Sequence, residues 1–244
     1  MYTPNDLSKM VFFDFETASN YASLDELEKA NPKMAELWSK RCDYLRSRFE
    51  ENKDMTDEEL YLEKAALTAE FGRIVCATFG RVSFIGTTPN LIIKSYSSET
   101  ESDVLDGVDK VFNKFAALKF VGHNIKRFDI PYACKRLIIN QYALPKGLQI
   151  ANLKPWEMPF VDTSDLWSFG AWQEGFTSLD LLSTSLGLES PKGDLHGSEV
   201  GKAFWQDGDI NRIKRYCEQD VLATVNILLK LSNLELVEDY ETQA

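Results

Sequence analysis

The chain has 244 residues, 44% hydrophobic and 27% charged, which is ordinary for one large soluble domain with a substantial core. A net charge of −11 argues against tight, sequence-independent binding of duplex nucleic acid, though not against a nuclease that grips a short strand. No apolar run approaches the roughly 20 residues that span a bilayer, and the N-terminus lacks the blocks of a signal peptide, so the expectation is a cytoplasmic protein with no membrane contact. The four cysteines, Cys42, Cys76, Cys134 and Cys217, show no CxxC spacing, which speaks against a zinc site or a disulfide framework.

Residues 10–16 read as a strand. Residues 21–66 are charged and helically spaced, with Thr56 and Glu59 at the reciprocal positions of a helix cap. They read as a helical insertion after the first strand, with too few apolar residues for a core of its own. Strands follow over 73–82 and 91–95, then a helix over 101–118 and a short strand at 120–122. A helix over 129–140 is entered through Pro131. Residues 160–162 form another strand, and 179–186 a short helix stopped by Gly187. A loop is expected over 187–208, a long helix over 210–231, and a frayed acidic tail over 235–244. Strands that begin as a meander and then alternate with helices predict a single α/β domain over 1–244, its sheet mixed and covered on both faces.

Three stretches carry chemistry. In Val11-Phe12-Phe13-Asp14-Phe15-Glu16-Thr17, strand alternation sends Asp14 and Glu16 to one side, about 7 Å apart, and Phe13 and Phe15 to the other. Two such carboxylates can hold a hard divalent cation; the bland alternative is one polar face of an edge strand. Asp129 follows the polar loop Gly122-His123-Asn124-Ile125-Lys126-Arg127-Phe128 and opens a helix, where the helix dipole alone would explain it. Asp220 lies within the apolar stripe of the last helix, and Tyr216 is one turn before it. A buried salt bridge or a hydrogen bond to Tyr216 would explain Asp220 equally well. Between 119 and 155, Lys119, Lys126, Arg127, Lys135, Arg136, Lys146 and Lys154 read singly as solvated cations, and together as a border for nucleic acid.

The order DxE, an aspartate after an Asn-containing loop, and YxxxD on a late helix resembles the DEDD (DnaQ-like) 3′–5′ exonucleases. Tyr216 marks the tyrosine subtype; the histidine subtype would carry histidine where this chain has Arg215. Phe71-Gly72-Arg73-Ile74-Val75, Phe128-Asp129-Ile130-Pro131, Ser178-Leu179-Asp180 and Tyr216-Cys217-Glu218-Gln219-Asp220-Val221 look like the stand-alone exonucleases related to the proofreading domain of family B DNA polymerases. The resemblance implies a ribonuclease H-like fold with a mixed five-stranded sheet. It also implies two divalent cations, Mg²⁺ or Mn²⁺, held by Asp14, Glu16, Asp129 and Asp220. Asp14 would touch both ions, Glu16 and Asp220 would complete one site, and Asp129 would hold the other. Cations would relieve the mutual repulsion of the carboxylates, roughly 4 kcal/mol per pair at 4 Å and an effective dielectric of about 20.

On that resemblance the chain releases 5′-mononucleotides from the 3′ end of DNA, favoured as single-stranded, with Tyr216 orienting the attacking water. Phe15, Thr17, Asn124 and Phe128 would border the terminal nucleotides, although core packing explains Phe128 better. Lys192 and His196 are weaker candidates for facing substrate, and His123 reads as structural. The rivals are an exoribonuclease that trims RNA and a weakly active strand-binding or polymerase-accessory module. A polymerase or other replication partner would act in trans, in replication or repair.

Overall fold

A short capped turn, α1 (Pro4–Leu7), leads into β1 (Met10–Ser19) in the computed structural model, which describes residues 1–171, 176–190 and 193–243. Strand β1 is buried on both faces, which explains its run of aromatic and aliphatic residues. Val11, Phe13 and Phe15 enter one apolar cluster, and Met10 and Phe12 enter another. The ring of Phe13 lies 5.1 Å from that of Phe15, 5.6 Å from that of Phe112 and 6.1 Å from that of Phe120.

The insertion comprises α2 (Leu24–Ala30), α3 (Pro32–Arg48) and α4 (Asp57–Lys64). Ser23, Asn31 and Thr56 cap these helices, and the Thr56–Glu59 box forms as the sequence predicts. The expectation that the insertion lacks a core of its own is corrected. Trp38, fully buried, meets Tyr61 at 5.4 Å and Phe71 at 4.9 Å, both edge-on, and Cys42, Leu45 and Leu60 close around it. One indole supplies the apolar area that several aliphatic side chains would otherwise provide, and Phe71 ties this small core to the sheet.

Strands β2 (Gly72–Ile85) and β3 (Thr88–Ser97) form a hairpin that turns at Gly86, whose φ of +65° suits glycine. Next come α5 (Glu101–Lys114), β4 (Lys119–Gly122), α6 (Asp129–Ile139) and β5 (Phe160–Asp162). Helices α7 (Thr163–Ser168), α8 (Leu179–Ser185), α9 (Val200–Trp205) and α10 (Ile210–Leu231) precede a last strand, β6 (Tyr240–Thr242). The sheet order is β5-β4-β1-β2-β3-β6. Strands β1, β2 and β3 are antiparallel, as expected; β4 runs parallel to β1, β5 to β4, and β6 to β3. Helices α5 and α6 pack with the Phe13 cluster on one face of the sheet, and α10 covers the other.

Two elements depart from expectation. The acidic tail is not frayed: Asn226 donates to the Val237 carbonyl and accepts from its N–H, both at 2.9 Å, and β6 then adds a sixth strand to the expected five. The expected loop 187–208 contains α9, because Val200, Ala203 and Phe204 recur at helical spacing and bury against Ala18, Val75 and Cys76. No helix among the described residues is long and apolar enough to cross a membrane.

The topology leaves the far end of β1 unpaired on its β4 side. Pairing with β4 ends at Phe12–Val121, so β1 runs on past the C-terminal end of β4, carrying Asp14 and Glu16 beyond it. Gly122 permits the close approach there: a Cβ would lie 2.9 Å from the Phe13 carbonyl and 2.2 Å from the Ile125 side chain.

Candidate active site

Asp14 and Glu16 share one face of β1, opposite Phe13 and Phe15, as the alternation predicts. The β1–β2 register shifts between Glu16 and Thr17: Glu16 pairs with Cys76 and Thr17 with Ile74, which leaves Val75 as the extra residue of a bulge. Asp14 is half-buried and Glu16 buried. Ligand atoms of Asp14, Glu16 and Cys217 all lie within 4.8 Å of one another. Helix α10 supplies Cys217 and, one turn apart, Tyr216 and Asp220, with Asp220 buried. Asp129 arrives from the other side as the first residue of α6, and its side chain is also buried.

The electrostatics joins these groups into one site. Burial pushes the Asp14 carboxyl well above the carboxylate range, and Asp220 and Asp129 push it further. Glu16 is raised in the same direction, by burial and then by Asp14 and Asp220. Asp129 is raised to about 7, by burial first and by Asp162 and Asp220, against a partial offset from its own backbone amide and that of Phe15. Among the described residues no lysine or arginine ion-pairs with Asp14, Glu16 or Asp129. The carboxylates of Asp14 and Glu16 are close enough to share one ion, and oxygen donors of that kind suit hard divalent cations. Tyr216 is pushed far up by burial and by Asp220, Glu16 and Asp14, so its hydroxyl keeps its proton. That hydroxyl lies under Gly197, where a Cβ would come within 3.7 Å.

The expected substrate contacts are placed as follows. Phe15 is buried in the core against Phe13 and Phe79. Thr17 is buried. Phe128 is half-buried, its ring 5.3 Å from that of Tyr132, which matches the packing explanation. Asn124 has a φ of +60°, the left-handed region that asparagine tolerates. His196 is exposed and caps the turn at 197–199 through Glu199; Lys192 lies outside the described residues. His123 is structural, bonded to Thr163 at 2.9 Å and to the Thr177 carbonyl at 2.8 Å. Of the seven basic residues of 119–155, four pair with carboxylates. Arg136 is buried against Glu101, Lys135 pairs with Glu70, and Lys126 and Arg127 both pair with Asp165.

Two residues escaped the sequence reading. Cys217 was weighed only for zinc or disulfide spacing, yet it touches Asp14; its place one residue after Tyr216, on the inward stripe, was the available signal. Asp162 ends β5 and accepts from the backbone amides of Asn124 (2.8 Å), Lys126 (3.1 Å) and Ser164 (3.0 Å). It thereby fixes the loop that delivers Asp129, a role no local sequence pattern signals.

Residues 67–242 match the family described as "Predicted 3'-5' exonuclease related to the exonuclease domain of PolB", and the chain belongs to that family. The match includes Asp129, Tyr216 and Asp220 and begins after Asp14 and Glu16. The family B DNA polymerase of the hyperthermophilic archaeon Pyrobaculum calidifontis is structurally similar at a TM-score of 0.53 and 14% identity, and the fold is the ribonuclease H-like one of its exonuclease domain. That likeness covers 92% of this chain and 24% of the polymerase, so the chain spans about a quarter of the protein it resembles. A search of curated proteins gives no match.

Proposed function

We propose that this chain is a metal-dependent 3′–5′ exonuclease of the tyrosine DEDD subtype, acting on single-stranded DNA ends and releasing 5′-mononucleotides. The observation that carries the reading is geometric: Asp14 and Glu16 place carboxylate oxygens within 4.8 Å of each other and of Cys217, which follows Tyr216 on α10, in a chain of this exonuclease family. Asp14, Glu16 and Asp220 would hold one divalent cation, and Asp14 with Asp129 a second. Bound cations would lower the pKa of the attacking water and stabilise charge on the phosphodiester oxygens. Tyr216, protonated at neutral pH, orients that water by hydrogen bonding and does not act as a base. Asn124 would lie beside the terminal nucleotide, and the buried Phe15 and Thr17, with Phe128 packed on Tyr132, would support that position from behind.

The test is digestion of 5′-labelled single-stranded DNA, duplex DNA and RNA with Mg²⁺ or Mn²⁺. A one-nucleotide ladder on single-stranded DNA, absent for Asp14→Asn, is the expected result. A ladder on RNA alone would make the protein an exoribonuclease, and strand binding without cleavage would reduce it to a binding module.

A further inference from the structure

Between β2, β3 and α5, on the face of the sheet away from α10, lies a cavity of about 540 Å³ that shares no residue with the carboxylate cluster. Its floor is apolar, built from Val11, Phe79 and Val111. Its rim is cationic: Arg81, Lys94, Lys110 and Lys114, with no aspartate or glutamate among the described lining residues. In a chain of net charge −11 this concentration of positive charge is out of keeping with the rest of the composition.

The cations are also held there against their own repulsion. Lys110 and Lys114 lie one turn apart on α5, a spacing at which like charges repel. No ion pair among the described residues involves Arg81, Lys110 or Lys114, whereas Lys126, Arg127, Lys135 and Arg136 each have a carboxylate partner. Aromatic rings organise Arg81 and Lys114. Arg81 and Lys114 lie 5.2 and 5.0 Å from the ring centroid of Phe115, and Lys94 lies 5.7 Å from that of Tyr96. Arg81 is fixed further by donating to the Ser8 carbonyl at 2.9 Å.

We propose that this cavity binds a nucleoside phosphate, with the phosphate on Arg81, Lys110 and Lys114 and the base and sugar over the apolar floor. A bare inorganic anion would make no use of the floor, and an apolar ligand none of the rim; the cavity's size is within the range of small-ligand sites. The choice of a nucleoside phosphate among anionic ligands of mixed character rests on the exonuclease reading. The ligand is either a released mononucleotide or one nucleotide unit of a bound strand.

Calorimetric titration of the full chain in EDTA with dAMP, with a ten-residue oligothymidylate and with inorganic phosphate tests this. Without divalent cations the carboxylate cluster repels phosphate, so binding reports the cavity. The wild type binds dAMP or the oligonucleotide, and Lys110→Gln/Lys114→Gln loses about tenfold or more in affinity. Both lysines are exposed, and Arg81→Gln provides an independent variant with the same expected loss. Binding of dAMP alone identifies released product as the ligand, and binding of the oligonucleotide identifies a strand. No binding of either, equal binding by the variants, or inorganic phosphate binding as tightly as dAMP overturns the proposal. A chain that cleaves nothing with Mn²⁺ yet binds dAMP through these lysines would sink the exonuclease reading and leave the cavity standing.

Discussion

The thiol of Cys217 donates to Asp14, with Sγ 3.3 Å from its carbonyl oxygen and 3.5 Å from Oδ2. This contact joins the last long helix to the central strand at the point where the carboxylates meet. Cys217→Ser keeps a donor; Cys217→Val removes it at nearly constant volume. The loss of one weak donor, about 1 kcal/mol, predicts a roughly fivefold fall in kcat for the valine variant and little change for serine. Steady-state cleavage rates of the two variants check this, and equal rates would remove the bond from catalysis.

Stability of the cation-free protein should fall as pH rises. Asp129 titrates at about 7 in the folded chain against an ordinary 3.8, and Asp14 and Glu16 are shifted the same way. Between those values the folded state binds more protons than the unfolded one, so folding loses free energy as pH climbs through the folded pKa. The melting temperature in EDTA is expected to decline from about pH 5 to about pH 8. Excess Mn²⁺ should remove the decline by binding only the folded state, and Asp129→Asn should flatten it. A melting temperature that rises with pH in EDTA contradicts the buried cluster.

Tyr216→Phe keeps the ring and loses only the hydroxyl. With that hydroxyl protonated across the working range, the variant should lower kcat about 10- to 100-fold without weakening Mn²⁺ binding, and the shape of the pH–rate profile should not change. Disappearance of an ionisation from the profile would instead make Tyr216 a base.

Arg136 and Glu101 form the most deeply buried ion pair among the described residues. Arg136 also donates to the Ala69 carbonyl at 2.8 Å, and Glu101 accepts from the Ile74 amide at 2.9 Å. Arg136→Ala leaves a buried carboxylate without its cation, so a loss of about 3–5 kcal/mol is expected in denaturant unfolding. A loss below about 1 kcal/mol would show that water replaces the guanidinium.

Much of this was legible in the chain. Alternation in Val11–Thr17 correctly put Asp14 and Glu16 opposite Phe13 and Phe15, because strand geometry is local. Tyr216 and Asp220 were legible because the apolar stripe of α10 fixes which side faces inward. What the sequence could not supply was long-range. Asp162 acts through two backbone amides of a loop nearly forty positions away. Lys126, Arg127, Lys135 and Arg136 looked available until the fold brought Asp165, Glu70 and Glu101 to them. The tail looked frayed because its composition is acidic, yet Asn226 and the open side of β3 gave its backbone partners.

That last strand has a consequence for solubility. Strand β3 would otherwise end the sheet, presenting Leu91, Ile92 and Ile93 with unpaired amides and carbonyls, a template on which another chain can polymerise. Strand β6 occupies that stretch. Of the positions it leaves uncovered, Pro89 has no amide to offer a neighbour and Lys94 places a charge in the path of one. The sheet is sealed by a self-supplied end strand at its apolar centre and guarded by a proline and a lysine on either side.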